Sequence, residues 1–329
     1  MPATTRLGDV MKVLVVGAGA IGAYFGARLL EAGVDATFLV RPKRESQLRQ
    51  GLSVRSPKGD IRLGPPPTVT AERLQKGFGV VLLSCKAYDL AGAIDSFAPA
   101  VGPETAIVPL LNGMRHLDAL KDRFGAEPVL GGQCQISVTL ADDGNVIHLS
   151  DFHQLAFGEL EKNPRSERAL AIEALFSKAK FEAHRSDAIL QEMWEKWVFI
   201  AALAGTTCLM RGAIGDIVRS GGVDLMRRMT RECAAIAGAQ GFAPRPQALG
   251  RVEAILTDAD STLAASMLRD LERGARTEAD HIIGDLLARR PPSPSGLRPA
   301  SPPTSELSVL EVAYLHLKTY ELRRASGRP

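Results

Sequence analysis

Apolar and polar positions follow two rhythms along this chain. Up to about residue 181, short continuous apolar runs alternate with glycine-rich or polar stretches; beyond Asp187, apolar positions recur at helical spacing almost to the end. Runs at 13–16, 34–40, 80–84 and 106–111 are rich in valine, isoleucine and leucine, as strands buried on both faces of a parallel sheet are. Residues 52–63 alternate about Pro57, Lys58 and Gly59, which predicts a hairpin. Residues 129–159, punctuated by Gly131, Gly132, Asp143, Gly144 and Asn145, predict antiparallel strands that finish the sheet. A helix is expected over 167–180 and a last strand over 181–184. Residues 187–209 are apolar around most of a helical circumference, the mark of a central core helix. Further helices are expected over 222–239, 247–257, 264–289 and 306–324, the last with Leu310, Ala313, Tyr314 and Leu317 on its apolar face. Between the last two, residues 290–305 are dominated by proline and serine and read as an extended linker.

Composition narrows this picture. At 329 residues two domains are the default. The expected division is 1–185, with residues 1–10 as an extension outside the fold, and 186–329. With 45% hydrophobic and 23% charged residues the chain is of ordinary globular type, and a net charge of +3 without basic blocks gives no footprint for nucleic acid. Cys85, Cys134, Cys208 and Cys233 are widely separated, which fits reduced thiols and a cytoplasmic setting. The first ten residues lack the apolar stretch of a signal peptide, and Met11 is an alternative start. The run 197–210 is interrupted and too short to span a membrane, so no membrane partner is expected. His148 and His153, in strand-like sequence without further ligands nearby, read as surface or packing residues, and no metal site is expected.

The stretch between the first strand and first helix carries the earliest chemistry. Gly17, Ala18, Gly19, Ala20, Ile21 and Gly22 spell G-x-G-x-x-G in a strand-turn-helix context. Gly17 permits the tight turn, Gly19 lets backbone approach a pyrophosphate, and Gly22 allows close packing of the helix. The helix N-terminus then offers unpaired N–H groups to the anion. The fold class is therefore α/β, an N-terminal Rossmann-type doubly wound sheet followed by an all-helical C-terminal domain. At the end of the second strand, where an NAD site places Asp or Glu, stand Arg41, Lys43 and Arg44. This favours NADP(H) over NAD, the alternative being a solvated basic loop. Lys86 and Asn112 follow the runs at 80–84 and 106–111, at the carboxyl ends where ligands sit in such sheets.

In the helical part, Met193, Trp194, Trp197 and Phe199 read as core, but a charged Lys196 among them needs a partner or a polar cleft. Here the chain resembles the ketopantoate reductases (2-dehydropantoate 2-reductases): GAGAIG at 17–22, the CK step at Lys86, LNGM at 111–114, WEK at 194–196 and SMLRDLERGARTEAD at 266–280 occur in the family's order across nearly the whole length. The resemblance implies NADPH-dependent reduction of ketopantoate or a related 2-oxo acid, with Lys196 as proton donor. It implies that Arg41 meets the 2′-phosphate and that Lys86 and Asn112 position the nicotinamide end. Ser266 would bind substrate, and Glu278 would lie near the nicotinamide and the reacting oxygen, keeping Lys196 charged and oriented. By residue type alone, Glu278 reads better as part of a solvated helix face. Homodimers through the helical domain are common in such architectures.

Two positions depart from the family pattern. Asparagines are expected four and eight residues after the lysine, and this chain has Ile200 and Ala204. A site without those amides discriminates against a hydroxylated acid. The expected substrate is therefore a less hydroxylated 2-oxo acid, with Arg211 supplying a bidentate carboxylate contact. Two other readings remain: a β-hydroxyacid-type dehydrogenase, and a protein that senses NADPH without turnover.

Overall fold

The computed structural model describes residues 11–291 and 307–327. Two compact units emerge: one takes in the chain up to Leu111 and His116–Ile189, the other Asn112–Arg115 and the chain from Leu190 on. The proposed extension 1–10 and residues 292–305 of the Pro/Ser-rich segment lie outside the described residues.

The first unit opens with β1 (Val13–Val16), α1 (Ala20–Glu31), β2 (Ala36–Leu39), α2 (Pro42–Leu48), β3 (Leu52–Arg55), β4 (Ile61–Leu63) and β5 (Thr68–Val69). It continues with β6 (Val80–Leu83), α3 (Leu90–Phe97), β7 (Ala106–Pro109), α4 (Arg115–Phe124), β8 (Gly131–Leu140), β9 (Val146–Gly158), α5 (Glu167–Phe176) and β10 (Glu182–Arg185). A parallel sheet has the order β5-β2-β1-β6-β7. Every residue of β1, β6 and β7 is buried, as their unbroken apolar runs require.

The strands expected to finish this sheet do not join it. β8 and β9 pair with each other as a long antiparallel hairpin in a second sheet, ordered β10-β9-β3-β4. The 52–63 hairpin joins the same sheet as the antiparallel pair β3–β4. The reason lies in α1, which contacts β1 and β2 on one side and β3, β4, β8 and β9 on the other. Gly22 through Leu29 are all buried, so this helix needs cover from two layers. Its polar residues are satisfied inside that seam. The Tyr24 hydroxyl lies 2.7 Å from His153 Nδ1, and Arg28, 1% exposed, donates to the carbonyls of Lys58 and Gly59. His148 packs at a tilt against the Tyr24 ring and hydrogen-bonds Ser56 and the Phe152 carbonyl. Both histidines are thus buried packing residues.

The second unit contains α6 (Ile189–Met210), α7 (Ile214–Arg219), α8 (Val223–Ala239), α9 (Pro246–Leu256), α10 (Ser266–Glu272), a π-helical turn at Asp280–Gly284 leading into α11 (Asp285–Ala288), and α12 (Val309–Ala325). The helix expected over 264–289 is broken. α10 ends before Gly274, whose φ of +68° is left-handed backbone, and helix resumes only after Glu278. The π turn leaves carbonyls without their usual partners, and the Trp197 indole donates to the Ile282 carbonyl at 2.8 Å. α12 covers the same turn: Tyr314 and Lys318 both donate to Asp280, at 2.7 and 2.8 Å. Its own start is fixed by a Ser308–Glu311 capping box, with Glu232 accepting from the Val309 and Leu310 N–H groups. No described helix is long and apolar enough to cross a membrane, and no metal-binding group of His, Cys, Asp and Glu occurs among the described residues.

Candidate functional site

In the first unit the glycine turn joins β1 to α1. Gly17 has φ of +91°, so a side chain there would be strained. A Cβ on Gly22 would lie 2.0 Å from the Gly17 carbonyl and 2.2 Å from Ser84 Oγ, which itself donates to that carbonyl. Gly22 therefore packs on the turn and on the residue after β6. Contact with the strand layer belongs to Gly26, where a Cβ would meet the Phe38 ring at 2.5 Å. That fourth glycine falls outside the fingerprint, although its spacing from Gly22 on the helix was there to be read. Gly19 is exposed, and a Cβ on it would have nothing within 4 Å. It caps α1 without a side-chain hydrogen bond. Ala20 and Ile21 form the first turn of α1, so the open backbone at Gly19 and the first-turn N–H groups could receive an anion.

The basic residues after β2 have different fates. Arg44 is half-buried, and all three guanidinium nitrogens are engaged: Nε donates to the Ala18 carbonyl at 2.9 Å, Nη1 to Gln47 and Nη2 to the Gly144 carbonyl at 3.0 Å. It is a clamp between the glycine turn and the tip of the β8–β9 hairpin. Burial pulls its pKa below the usual arginine value. Arg41 is exposed and forms an ion pair with Asp89 at 3.1 Å. Lys86 is half-buried immediately before the short 3-10 turn Ala87–Asp89, at the carboxyl end of β6.

In the second unit, three segments singled out in the sequence converge on the π turn. Gly113, with φ of +75°, packs so closely that a Cβ would lie 2.7 Å from the His281 carbonyl, and this brings the Asn112 segment to the turn. Trp197, next to Lys196, is bonded to Ile282. Glu278 begins the helical stretch, its carbonyl accepting from His281 and Ile282 N–H groups. Asn112, Lys196 and Glu278 thus lie on segments held to one turn. Glu278 is 8% exposed, which excludes the solvated helix face read from residue type. Lys196 is half-buried. Its neighbour Glu195 is committed elsewhere: Arg245 grips it through Nε and Nη2, at 2.7 and 2.6 Å, and through its backbone N–H. Burial alone would raise the Glu195 pKa, but the bonds from Arg245 outweigh it and hold the carboxyl below its usual range.

Along α6, the two positions expected to carry amides are apolar, Ile200 half-buried and Ala204 buried at 2% exposure. Ser266 is exposed at the first position of α10. The preceding Ala265 N–H meets Thr207 Oγ1 at 3.4 Å, a tie between α6 and the start of α10 that the apolar pattern concealed. Arg211, exposed just after α6, is the described non-glycine residue with positive φ, at +55°. The Gly212 N–H returns to the Thr207 carbonyl, so Arg211 holds the left-handed position of a helix-ending turn where glycine is usual. Cys134, Cys208 and Cys233 are buried and Cys85 is half-buried, all unbridged; burial pushes the Cys208 thiol up to about 12.

The chain matches known proteins along most of its length. Residues 13–162 match the model of ketopantoate reductase PanE/ApbA, and residues 188–289 match that of the ketopantoate reductase PanE/ApbA C terminal. The uncharacterized oxidoreductase YkpB of Bacillus subtilis (strain 168) is 37% identical over 316 residues, covering 95% of this chain and 100% of its own. The structure of 2-dehydropantoate 2-reductase from Geobacter metallireducens GS-15 superposes with a TM-score of 0.81 at 27% identity, covering 94% of this chain and 99% of its own. A D-mandelate dehydrogenase, in a ternary structure with NADH and anilino(oxo)acetate, shares the fold with a TM-score of 0.81 at 18% identity, over 96% of this chain and 100% of its own. The chain belongs to the ketopantoate reductase family, as an oxidoreductase with a Rossmann-like parallel-sheet domain and a helical C-terminal domain.

Proposed function

We propose that this protein reduces a 2-oxo acid to the 2-hydroxy acid with NADPH, and that the acid is less hydroxylated than ketopantoate. The observation that carries the reading is the convergence of the Asn112, Lys196 and Glu278 segments on the π turn. The glycine turn suits a dinucleotide: Gly19 leaves room where a Cβ would block an approaching phosphate, and α1 starts without a side-chain cap. Gly17 through Gly22 hold the pyrophosphate, Arg41 the 2′-phosphate, and Lys86, Asn112 and Glu278 the nicotinamide end. When bound, the reduced nicotinamide supplies the hydride.

The protein's own residues do the rest. The Lys196 ammonium donates a hydrogen bond to the substrate's ketone oxygen, stabilises negative charge developing there and delivers the proton. Glu278, buried at the start of a helical stretch, keeps that ammonium charged and aimed. Ser266 and Arg211 bind the substrate, Arg211 through its carboxylate. Ile200 and Ala204 leave a substrate's hydroxyl groups unpaired, which favours an apolar side chain on the acid. A same-fold neighbour has been solved with NADH, so the fold by itself does not select the dinucleotide; Arg41 supports NADP(H). Steady-state rates with NADPH across a panel of 2-oxo acids test the reading. We expect apolar acids to exceed ketopantoate in kcat/KM, and efficient turnover of ketopantoate would sink the substrate assignment.

A further inference from the structure

The Arg41–Asp89 ion pair spans the glycine turn. Arg41 follows β2 and Asp89 follows β6, and β1, which ends in the glycine turn, lies between those two strands. Two strand spacings amount to about 10 Å, a gap closed only by side chains reaching toward each other. The neighbouring charges are otherwise engaged. Arg44 is bonded to the Ala18 and Gly144 carbonyls, and Glu45 is paired with Arg73 and Arg49. Lys43 is exposed.

We propose that Asp89 sets the cofactor preference by competing with the 2′-phosphate for Arg41. The inference rests on the reading of Arg41 as the 2′-phosphate residue. Both partners are exposed, at 75% and 38%, so the pair itself is weak and a phosphate dianion displaces the carboxylate readily. Displacement still has a cost that NADH binding does not incur, and the freed carboxylate then stands near the phosphate as a like charge. Asp89 therefore narrows the preference that Arg41 creates.

The test uses the full-length protein as wild type, Asp89→Asn, Arg41→Ala and the double variant, with Kd for NADPH and NADH measured by fluorescence titration at fixed ionic strength. We expect D89N to tighten NADPH roughly three- to tenfold with NADH changed less than about twofold, and the gain to vanish in the R41A background. If R41A lowers the NADPH-over-NADH ratio while D89N leaves it unchanged, the competition is overturned and the NADP reading stands. If R41A leaves the ratio unchanged, the NADP reading and the inference fall together. If D89N weakens NADH, Asp89 holds the 2′-hydroxyl itself and the competition is likewise overturned.

Discussion

The glycine turn of the first unit and the π turn of the second are fixed by opposite means. At the glycine turn the requirements are steric and backbone-borne: Gly17 needs a positive φ, and Gly22 cannot carry a Cβ 2.0 Å from the Gly17 carbonyl. No side chain there does chemistry. At the π turn the backbone is held by side chains brought from far along the chain, Trp197 on Ile282 and Tyr314 and Lys318 on Asp280. A turn of the first kind is constrained at Gly17 and Gly22 themselves, whereas a turn of the second kind depends on what packs around it. One turn is thus fixed by its own backbone and the other by partners distant in the chain.

The sharpest break of this comparison is Lys196→Ala. It should lower kcat about a thousandfold and leave NADPH Kd within about twofold, because a proton donor acts on the transition state and not on cofactor binding. A loss confined to NADPH binding would move Lys196 to the cofactor side of the comparison. Next is Gly22→Ala, expected to weaken NADPH binding by roughly a hundredfold and to destabilise the first unit by about 1–3 kcal/mol through overpacking against backbone. Unchanged affinity would show that the turn relaxes and is not sterically determined. Arg211→Gly should raise KM for a 2-oxo acid about tenfold yet raise stability by about 1 kcal/mol, since glycine relieves the left-handed strain. A drop in both KM and stability would remove Arg211 from substrate binding.

The smallest effect separates the units by pH. Burial holds His148 and His153 below their usual pKa; the neighbouring Arg28 and Lys58 charges add to this at both, and the Phe152 carbonyl opposes it at His148. The unfolded chain then takes up protons first, so their contribution is complete above about pH 6.5 and is lost as pH falls from there toward their folded values. In the second unit Glu195 is depressed by Arg245, so its contribution is present above the ordinary carboxylate range and disappears only as pH falls below it. Hydrogen exchange at pH 7, 5.5 and 4 should therefore show α1 and β9 loosening before α6. Simultaneous loosening would mean that neither cluster governs its unit's acid response.

How much of this was legible in the chain depends on how local the cause was. Four buried strands of the parallel sheet, the glycine turn and α6 could be read, because continuous apolar runs, G-x-G-x-x-G and an all-round apolar helix express constraints that act within a few residues. The helices α2, α3, α4 and α7 were not anticipated, although Leu90, Ile94 and Phe97 of α3 and Leu117, Leu120 and Phe124 of α4 stand at helical spacing. The hairpin at 129–159 could be read as paired strands but not assigned to its sheet, since alternation reports a buried face and not what buries it. Arg41 is the favoured candidate in sequence, with Lys43 and Arg44 behind it; only the Ala18 and Gly144 carbonyls, brought close by the fold, commit Arg44 to a structural role.

The sequence by itself determined the backbone requirements of the dinucleotide turn, the two-part architecture and, through several ordered motifs, the family. These follow from short-range sterics and from the period of apolar positions. The tertiary structure decided that Glu278 is buried, that α1 lies between two sheets, that helix breaks at 273–278 and re-forms as a π turn, and that Asp89 reaches Arg41 across β1. Each depends on contact between segments distant in the chain, and the free energy of such a contact is set by which groups fold against one another, not by the residues that flank them.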